Sequence, residues 1–213
     1  MRWLAIETSS GRVSLALGEQ SRCLRGVSET GDASTLVEPL FRKLDVDFKN
    51  IERCVISQGP GSYNGLRVGY AFLKGLLCFD VFPVAQVFTP LILASQAMEE
   101  LKIKDGTVLV LNDARRQEIH AALVSMHDGI PRKEWDRVGT GKEIREQLPG
   151  HPDAIVSYDF SVGDLPEFRS KHWLNLFPTA AMAGRVARLL DLPAASNLSE
   201  LEPFYVRGPV PRK

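Results

Sequence analysis

Apolar and polar positions along this chain fall into blocks whose period switches between two and about 3.6, the pattern of mixed strands and helices. Arg2–Glu7 (RWLAIE) and Arg12–Leu17 (RVSLAL) predict two strands joined by the polar turn Thr8-Ser9-Ser10-Gly11. In the second strand Val13, Leu15 and Leu17 alternate with Ser14, Ala16 and Gly18, as a half-buried strand requires. A weaker strand is expected over 21–29. A helix then starts near Thr35, where Thr35 and Glu38 have capping-box spacing. Leu36, Val37, Leu40, Phe41 and Leu44 cover one side of it, and Pro39 distorts its start.

The most informative stretch is Ser57–Asp80, SQGPGSYNGLRVGYAFLKGLLCFD. Cys54–Ser57 predicts a strand, Gly59-Pro60-Gly61 a turn, and Ser62 the N-cap of a helix reaching Phe79. At about 100° per residue, Leu66, Gly69, Tyr70, Leu73, Leu76 and Leu77 fall on one side. Val68, Ala71, Phe72, Gly75, Cys78 and Phe79 fall on the other, and only Arg67 and Lys74 form a polar stripe between them. A helix apolar nearly all round needs cover on both sides. One cover is the domain's own sheet; the other is a second helix of this chain or a helix of another chain. Gly65, Gly69 and Gly75 each cost about 1 kcal/mol relative to Ala in a helix interior, so their presence implies close approach of another backbone.

Pro83–Ala85 predicts a short strand and Thr89–Leu101 a helix. After the charged turn Lys104-Asp105-Gly106 the pattern begins again. Thr107–Leu111 and Glu118–Met126 predict a β-hairpin, Lys142–Leu148 a short helix, and Ala154–Tyr158 a buried strand. Thr179–Leu190 predicts a helix with Ala180, Ala183, Val186, Ala187 and Leu190 on one stripe. Two successive hairpin-then-α/β segments imply a duplicated architecture, with lobes of residues 1–103 and 104–213, although no sequence repeat is visible. The tail from Gly208 is expected to be loose.

Composition narrows the function. Hydrophobic residues make up 44% and charged residues 24%, an ordinary globular balance. Lys plus Arg and Asp plus Glu are both 26, so no global field recruits nucleic acid, and any contact with RNA is expected to be indirect. Cys23, Cys54 and Cys78 are widely spaced in apolar surroundings, which suits reduced core thiols in a cytoplasmic protein. The chain reaches Glu7 before an apolar leader forms, and Pro83, Gln86, Pro90 and Gln96 interrupt the uncharged run 81–98, so neither a signal peptide nor a membrane span is expected.

Recognisable catalytic chemistry is scarce. Gly59-x-Gly61 precedes a helix, but Ser62-Tyr63-Asn64 replaces the Gly-Lys-Ser/Thr that ends a P-loop. The Thr8-Ser9-Ser10-Gly11 turn has the make-up of a phosphate-gripping loop and equally of a plain hairpin turn. His120, His127, His151 and His172 include no pair three or four apart, and there is no Cys-x-x-Cys, so no zinc site is expected. Asp113 and Arg115 are read as an ion pair fixing a strand end in preference to a catalytic pair.

Four segments resemble the TsaB family, also called YeaZ: Leu4–Ser9 (LAIETS), Gly59–Gly69 (GPGSYNGLRVG), Asp113–Arg115 and Pro203–Arg207 (PFYVR), in that order and spacing. The second is the most specific. The resemblance implies an α/β fold of two RNase-H-like lobes of the actin and Hsp70 ATPase type, with mixed sheets flanked by helices. It implies a non-catalytic assembly role in making N6-threonylcarbamoyladenosine (t6A37) in tRNA, beside a TsaD-like catalytic subunit and a TsaE-like ATPase. It implies pairing with that catalytic subunit, or with a second copy of the chain through much the same surface, with no cofactor or metal of its own and ATP or ADP only within the complex. Carried over, the partner surface falls on Leu36, Leu40, Phe41 and Leu44 of the first helix and Leu66, Val68, Gly69, Tyr70, Phe72 and Leu73 of the second. Glu7, Thr8, Ser9, Ser10 and Asp113 would mark a vestigial nucleotide site. Glu7 stands where the family commonly has Asp, and Tyr63-Asn64 where it commonly has Phe-Thr. The rival reading is a stand-alone actin-like ATPase or phosphotransferase in which Glu7 and Asp113 hold Mg-nucleotide.

Overall fold

Two sheets of the same topology lie on either side of a shared layer of helices in the computed structural model, which describes all residues except 79–81, 162, 169, 171, 196 and 207–213. The first half runs β1 (Arg2–Glu7), β2 (Arg12–Glu19), β3 (Arg22–Thr30), α1 (Ala33–Leu44), β4 (Arg53–Gly59), α2 (Tyr63–Leu77), β5 (Val84–Phe88) and α3 (Thr89–Leu101). The second runs β6 (Gly106–Arg115), β7 (Glu118–His127), β8 (Ile130–Gly139), α4 (Gly141–Gln147), β9 (Ala154–Ser157), β10 (His172–Asn175), α5 (Ala180–Leu189) and β11 (Ala194–Ala195). The strand orders are β11-β5-β4-β1-β2-β3 and β10-β9-β6-β7-β8. In each, the first three strands form an antiparallel meander and the next two add in parallel on the other side of the first strand.

The duplication inferred from element order is therefore present in the hydrogen-bonded topology. Two features break it. No helix appears among the described residues between β9 and β10, where α2 would recur. In addition, α5 and β11 return from the second half to the first sheet, α5 packing on β1 and β2 and β11 pairing with β5.

The alternation seen in the strands sorts side chains between layers. In β1, Leu4 and Ile6 face outward onto α1 and α2, with Val37, Leu40, Leu44, Tyr70, Leu73 and Leu77. Trp3 and Ala5 face inward onto α3 and α5. The inner layer collects Ile92, Leu93, Ala94 and Ala97 of α3 with Val108, Val110, Ala154 and Val156 of the second sheet. Thus α3 is the helix covered on both sides, and Thr89–Ser95 is buried without a break. Trp3 pins α5 to the sheet: a Cβ on Gly18 or Gly184 would meet its indole at 2.0 and 2.3 Å, and its Nε1 donates to Gln20 O at 2.9 Å.

Several local expectations change. The first helix starts at Ala33 with Asp32 as N-cap, its Oδ1 accepting from Ser34 N, so Thr35 and Glu38 make no capping box. The capping box of the molecule lies at Thr140 and Glu143. Ser62 does cap α2, accepting from Gly65 N. Strand β8, IPRKEWDRVG, escaped notice because it is a charged edge strand with little alternation. Only Cys54 is a core thiol, pushed up to about 12 by burial; Cys23 and Cys78 are exposed. Phe79 and Arg207 lie outside the described residues.

The glycines of α2 divide in two. A Cβ on Gly65 would sit 2.1 Å from Thr8 O, and one on Gly69 2.2 Å from Thr8 Oγ1, so the approaching backbone is this chain's own β1–β2 turn. Gly75 has nothing within 4 Å. Gly75→Ala is expected to stabilise the protein by up to about 1 kcal/mol, the helix-propensity gain. Gly69→Ala is expected to destabilise it by 1 kcal/mol or more, the order set by overpacking a fitted contact. Urea denaturation measures both, and equal effects would contradict the close approach at Thr8.

Candidate functional site

The strand ends and the start of α2 meet in a cleft of about 480 Å³ between the two sheets. The first lobe contributes Ser9, Ser10 and Gly11 after β1, and Pro60, Gly61, Ser62, Tyr63 and Asn64 where β4 turns into α2. The second contributes Asn112–Arg115 from β6, His120 from β7, and Tyr158 and Asp159 after β9. Tyr205 and Val206 close one side.

Local chemistry holds the first wall. The Gly59–Pro60 bond is cis, and Gly59 has a φ of 103°, which only glycine adopts readily. Ser62 N donates to Ser9 O at 2.6 Å, and a Cβ on Gly61 would lie 2.0 Å from that same oxygen. Phe204 N donates to Gln58 O at 2.7 Å, which brings the C-terminal segment to the rim. There the Tyr205 ring lies 5.0 Å from Tyr63, with Arg67 over the Tyr63 ring.

The second wall is built on carboxylates. Asp113 N donates to Asp159 Oδ2 at 2.8 Å, and Arg115 binds Asp113 through its amide and, at 3.0 Å, through its guanidinium. The Asp113–Arg115 ion pair thus fixes the hairpin end, whose residues Arg115, Arg116 and Gln117 all have positive φ. Loss of surrounding water and the neighbouring Asp113 charge push the Asp159 carboxyl up, against the Asp113 amide and Arg115. Behind this wall His120 is buried between Phe88 and Phe204, with Asp136 Oδ2 3.7 Å from its Nε2. Burial pushes the imidazole below its usual range, opposed by Asp136.

The residues expected to mark a nucleotide site do not all meet. Ser9, Ser10 and Asp113 line the cleft, but Glu7 and Thr8 do not. Glu7 is fully buried, turned inward with Oε1 accepting from Ser9 N, and Oε2 has no partner. It therefore does not line the cleft that Asp113 lines. Thr8 packs on Gly69. Asn112, His120, Tyr158, Asp159 and Tyr205 were missed by sequence reasoning; once the repeat is recognised, the end of β6 is the counterpart of the Thr8 turn, which would have pointed to Asn112.

The expected partner surface divides as well. Leu40, Leu44, Leu66, Gly69, Tyr70 and Leu73 are buried within this chain, because the inner face of α2 and one side of α1 pack on the first sheet. They cannot present side chains to a partner. Leu36, Phe41, Val68 and Phe72 are half-buried, Phe41 and Phe72 meeting edge to face at 5.1 Å. Ala71, Gly75 and Cys78 beside them are exposed.

Burial pushes the Glu7 carboxyl up, offset in part by Ser9 and Ser57. The folded state therefore holds this proton more tightly than the unfolded chain. That contribution is present at acid pH and is lost as pH rises through the elevated folded value. Glu7→Gln keeps an acceptor for Ser9 N without the charge. Its melting temperature relative to wild type is expected to increase from pH 4.5 to pH 8 by calorimetry; a difference independent of pH would show that Glu7 does not titrate in this way.

The family model described as TsaD, tRNA N6-adenosine threonylcarbamoyltransferase, matches residues 32–132. The chain is 24% identical over 228 aligned positions to a Haemophilus influenzae protein named "tRNA threonylcarbamoyladenosine biosynthesis protein TsaB", covering 97% of this chain and 94% of that one. It is 26% identical to the Bacillus subtilis protein of the same name over 136 positions, and this match spans 61% of the chain and only 58% of the relative's length. Among solved structures, YeaZ from Pseudomonas aeruginosa superposes with a TM-score of 0.83 at 21% identity, covering 96% of this chain and 99% of that one. The ethanolamine utilization protein EutJ from Carboxydothermus hydrogenoformans follows at 0.51 and 9% identity, covering 87% and 90%. The two mixed sheets flanked by helices are thus of the actin/Hsp70 ATPase type. With the GPGSYNGLRVG segment at the cleft, this chain is similar along its length to proteins named TsaB and shares the fold of YeaZ.

Proposed function

We propose that this chain is a non-catalytic assembly subunit in the synthesis of N6-threonylcarbamoyladenosine in tRNA, holding a TsaD-like catalytic partner through the outer faces of α1 and α2. The observation that carries the reading is the outer face of α2. Val68, Phe72 and Leu76 are half-buried and Ala71, Gly75 and Cys78 exposed, although all six are small or apolar. Leu36 and Phe41 of α1 extend the same strip. A standard interface covers roughly 800 Å² per partner and depends on a few apolar anchors. In this reading Phe72 and Phe41 are the anchors, and the small residues at 71 and 75 let a partner helix approach closely.

In the absence of the partner, the same strip pairs two copies of this chain. A TsaE-like ATPase joins the complete complex, ATP or ADP enters only there, and tRNA is reached through the catalytic subunit. The inward-turned Glu7 supports an assembly role over independent phosphoryl transfer.

Gly75→Arg tests the surface without disturbing the core, since beyond its own stretch of helix backbone nothing lies within 4 Å of the new Cβ. The variant is expected to fold with a melting temperature at or above wild type and to lose the TsaD-like protein of the same organism in co-purification. Light scattering should report it as a monomer. Full retention of the partner by a folded Gly75→Arg protein would place the interface elsewhere. Leu73→Asp is unsuitable as a probe, because Leu73 is fully buried and its loss would unfold the lobe.

A further inference from the structure

Two polar side chains in the cleft are buried with their hydrogen-bonding capacity unused. Asn112 is 2% exposed; Tyr158 and Asp159 lie beside its side chain, but neither its Oδ1 nor its Nδ2 completes a hydrogen bond of normal length. His120, opposite it on β7, is also 2% exposed, and neither ring nitrogen is hydrogen-bonded. Native proteins leave few such groups unpaired. Both line the same cavity, so a molecule bound there can supply what the protein does not.

The walls define the chemistry of that molecule. On the first lobe, the amides of Tyr63 and Asn64 belong to the opening turn of α2 and have no intrahelical acceptor. The helix dipole favours a negative group there. Facing them on the second lobe are Asp113 and Asp159, and Arg115, the single cation among the described lining residues, is already paired with Asp113. A simple anion would meet the two carboxylates, and a simple cation would meet the positive end of the helix. A dipolar molecule satisfies both walls. The unpaired carboxamide and imidazole add a requirement for further polar atoms.

We propose that the inter-lobe cleft binds a small α-amino acid with a polar side chain. Its carboxylate lies at the start of α2, its ammonium at Asp113 and Asp159, and its side chain hydrogen-bonds Asn112 and His120. The cleft is distinct from the outer faces of α1 and α2, so the site stands or falls independently of the partner surface.

The test is calorimetric titration of the full chain with each of the protein amino acids. Acetate and methylamine serve as single-charge probes, and Mg-ATP and adenosine as nucleotide probes. One or more polar amino acids are expected to bind, while acetate and methylamine are not. Asn112→Leu, which removes the unpaired amide without changing volume greatly, is expected to weaken binding about tenfold or more. Should that variant not fold, His120→Phe gives the same comparison. The proposal is overturned if no amino acid binds, if only Mg-ATP or adenosine binds, or if amino-acid affinity is unchanged in the folded variants.

Discussion

The contact that sets the rest of the structure is the absence of side chains where α2 meets the turn after β1. At Gly61, Gly65 and Gly69 any Cβ would lie 2.0 to 2.2 Å from atoms of Thr8 or Ser9. Spaced four apart, the last two lie on one helix face, which lets that turn come against the helix backbone. The consequence reaches in three directions. The helix begins at the end of β1, so its positive end faces the cleft. Its leucines at 66, 73 and 77 are committed to the first sheet. Its opposite side is left with a half-covered apolar strip that this chain's α1 does not finish.

A second constraint is the mid-layer that joins the sheets. Inward positions of the first sheet are mostly small (Ala5, Ala16, Val55, Ala85), and outward ones are larger (Leu4, Ile6, Leu15, Ile56). Small residues bring α5 close enough for Gly184 to lie against the Trp3 indole. Burying an indole this completely contributes on the order of 3 kcal/mol. It ties a helix from the end of the chain to its first strand. The lobes therefore share core, and the C-terminal segment that carries Tyr205 is held near the cleft by the same return path.

Much of this was legible in the sequence because strands and helices here have strong periods. Thr89–Leu101 and the capping by Ser62 follow directly from local chemistry. What misled was the two-sided apolar pattern of α2. It correctly signals two faces, but not which residues each face spends: Leu66, Tyr70 and Leu73 serve the core, and Val68, Phe72 and Leu76 remain half-buried near the surface. The helix with cover on both sides is α3, where Thr89–Ser95 is buried without a break. The cleft was less legible. Asn112, His120 and Asp159 carry no motif, and they come together only because β6, β7 and β9 are neighbours in a sheet.

The broken repeat explains why polar groups at the cleft are left open on one side. In the first sheet Ile6 pairs with Ile56, and in the second Val110 pairs with Val156, so Thr8 and Asn112 each stand two residues beyond matching positions. Thr8 is covered by Gly69 of α2. The second sheet has no helix among its described residues between β9 and β10, so nothing covers Asn112 in the same way. The N-terminus of α2 then faces the buried Asn112 and His120 across the cleft. An unpaired buried carboxamide costs about 1–3 kcal/mol per group, a penalty relieved when a polar ligand hydrogen-bonds it.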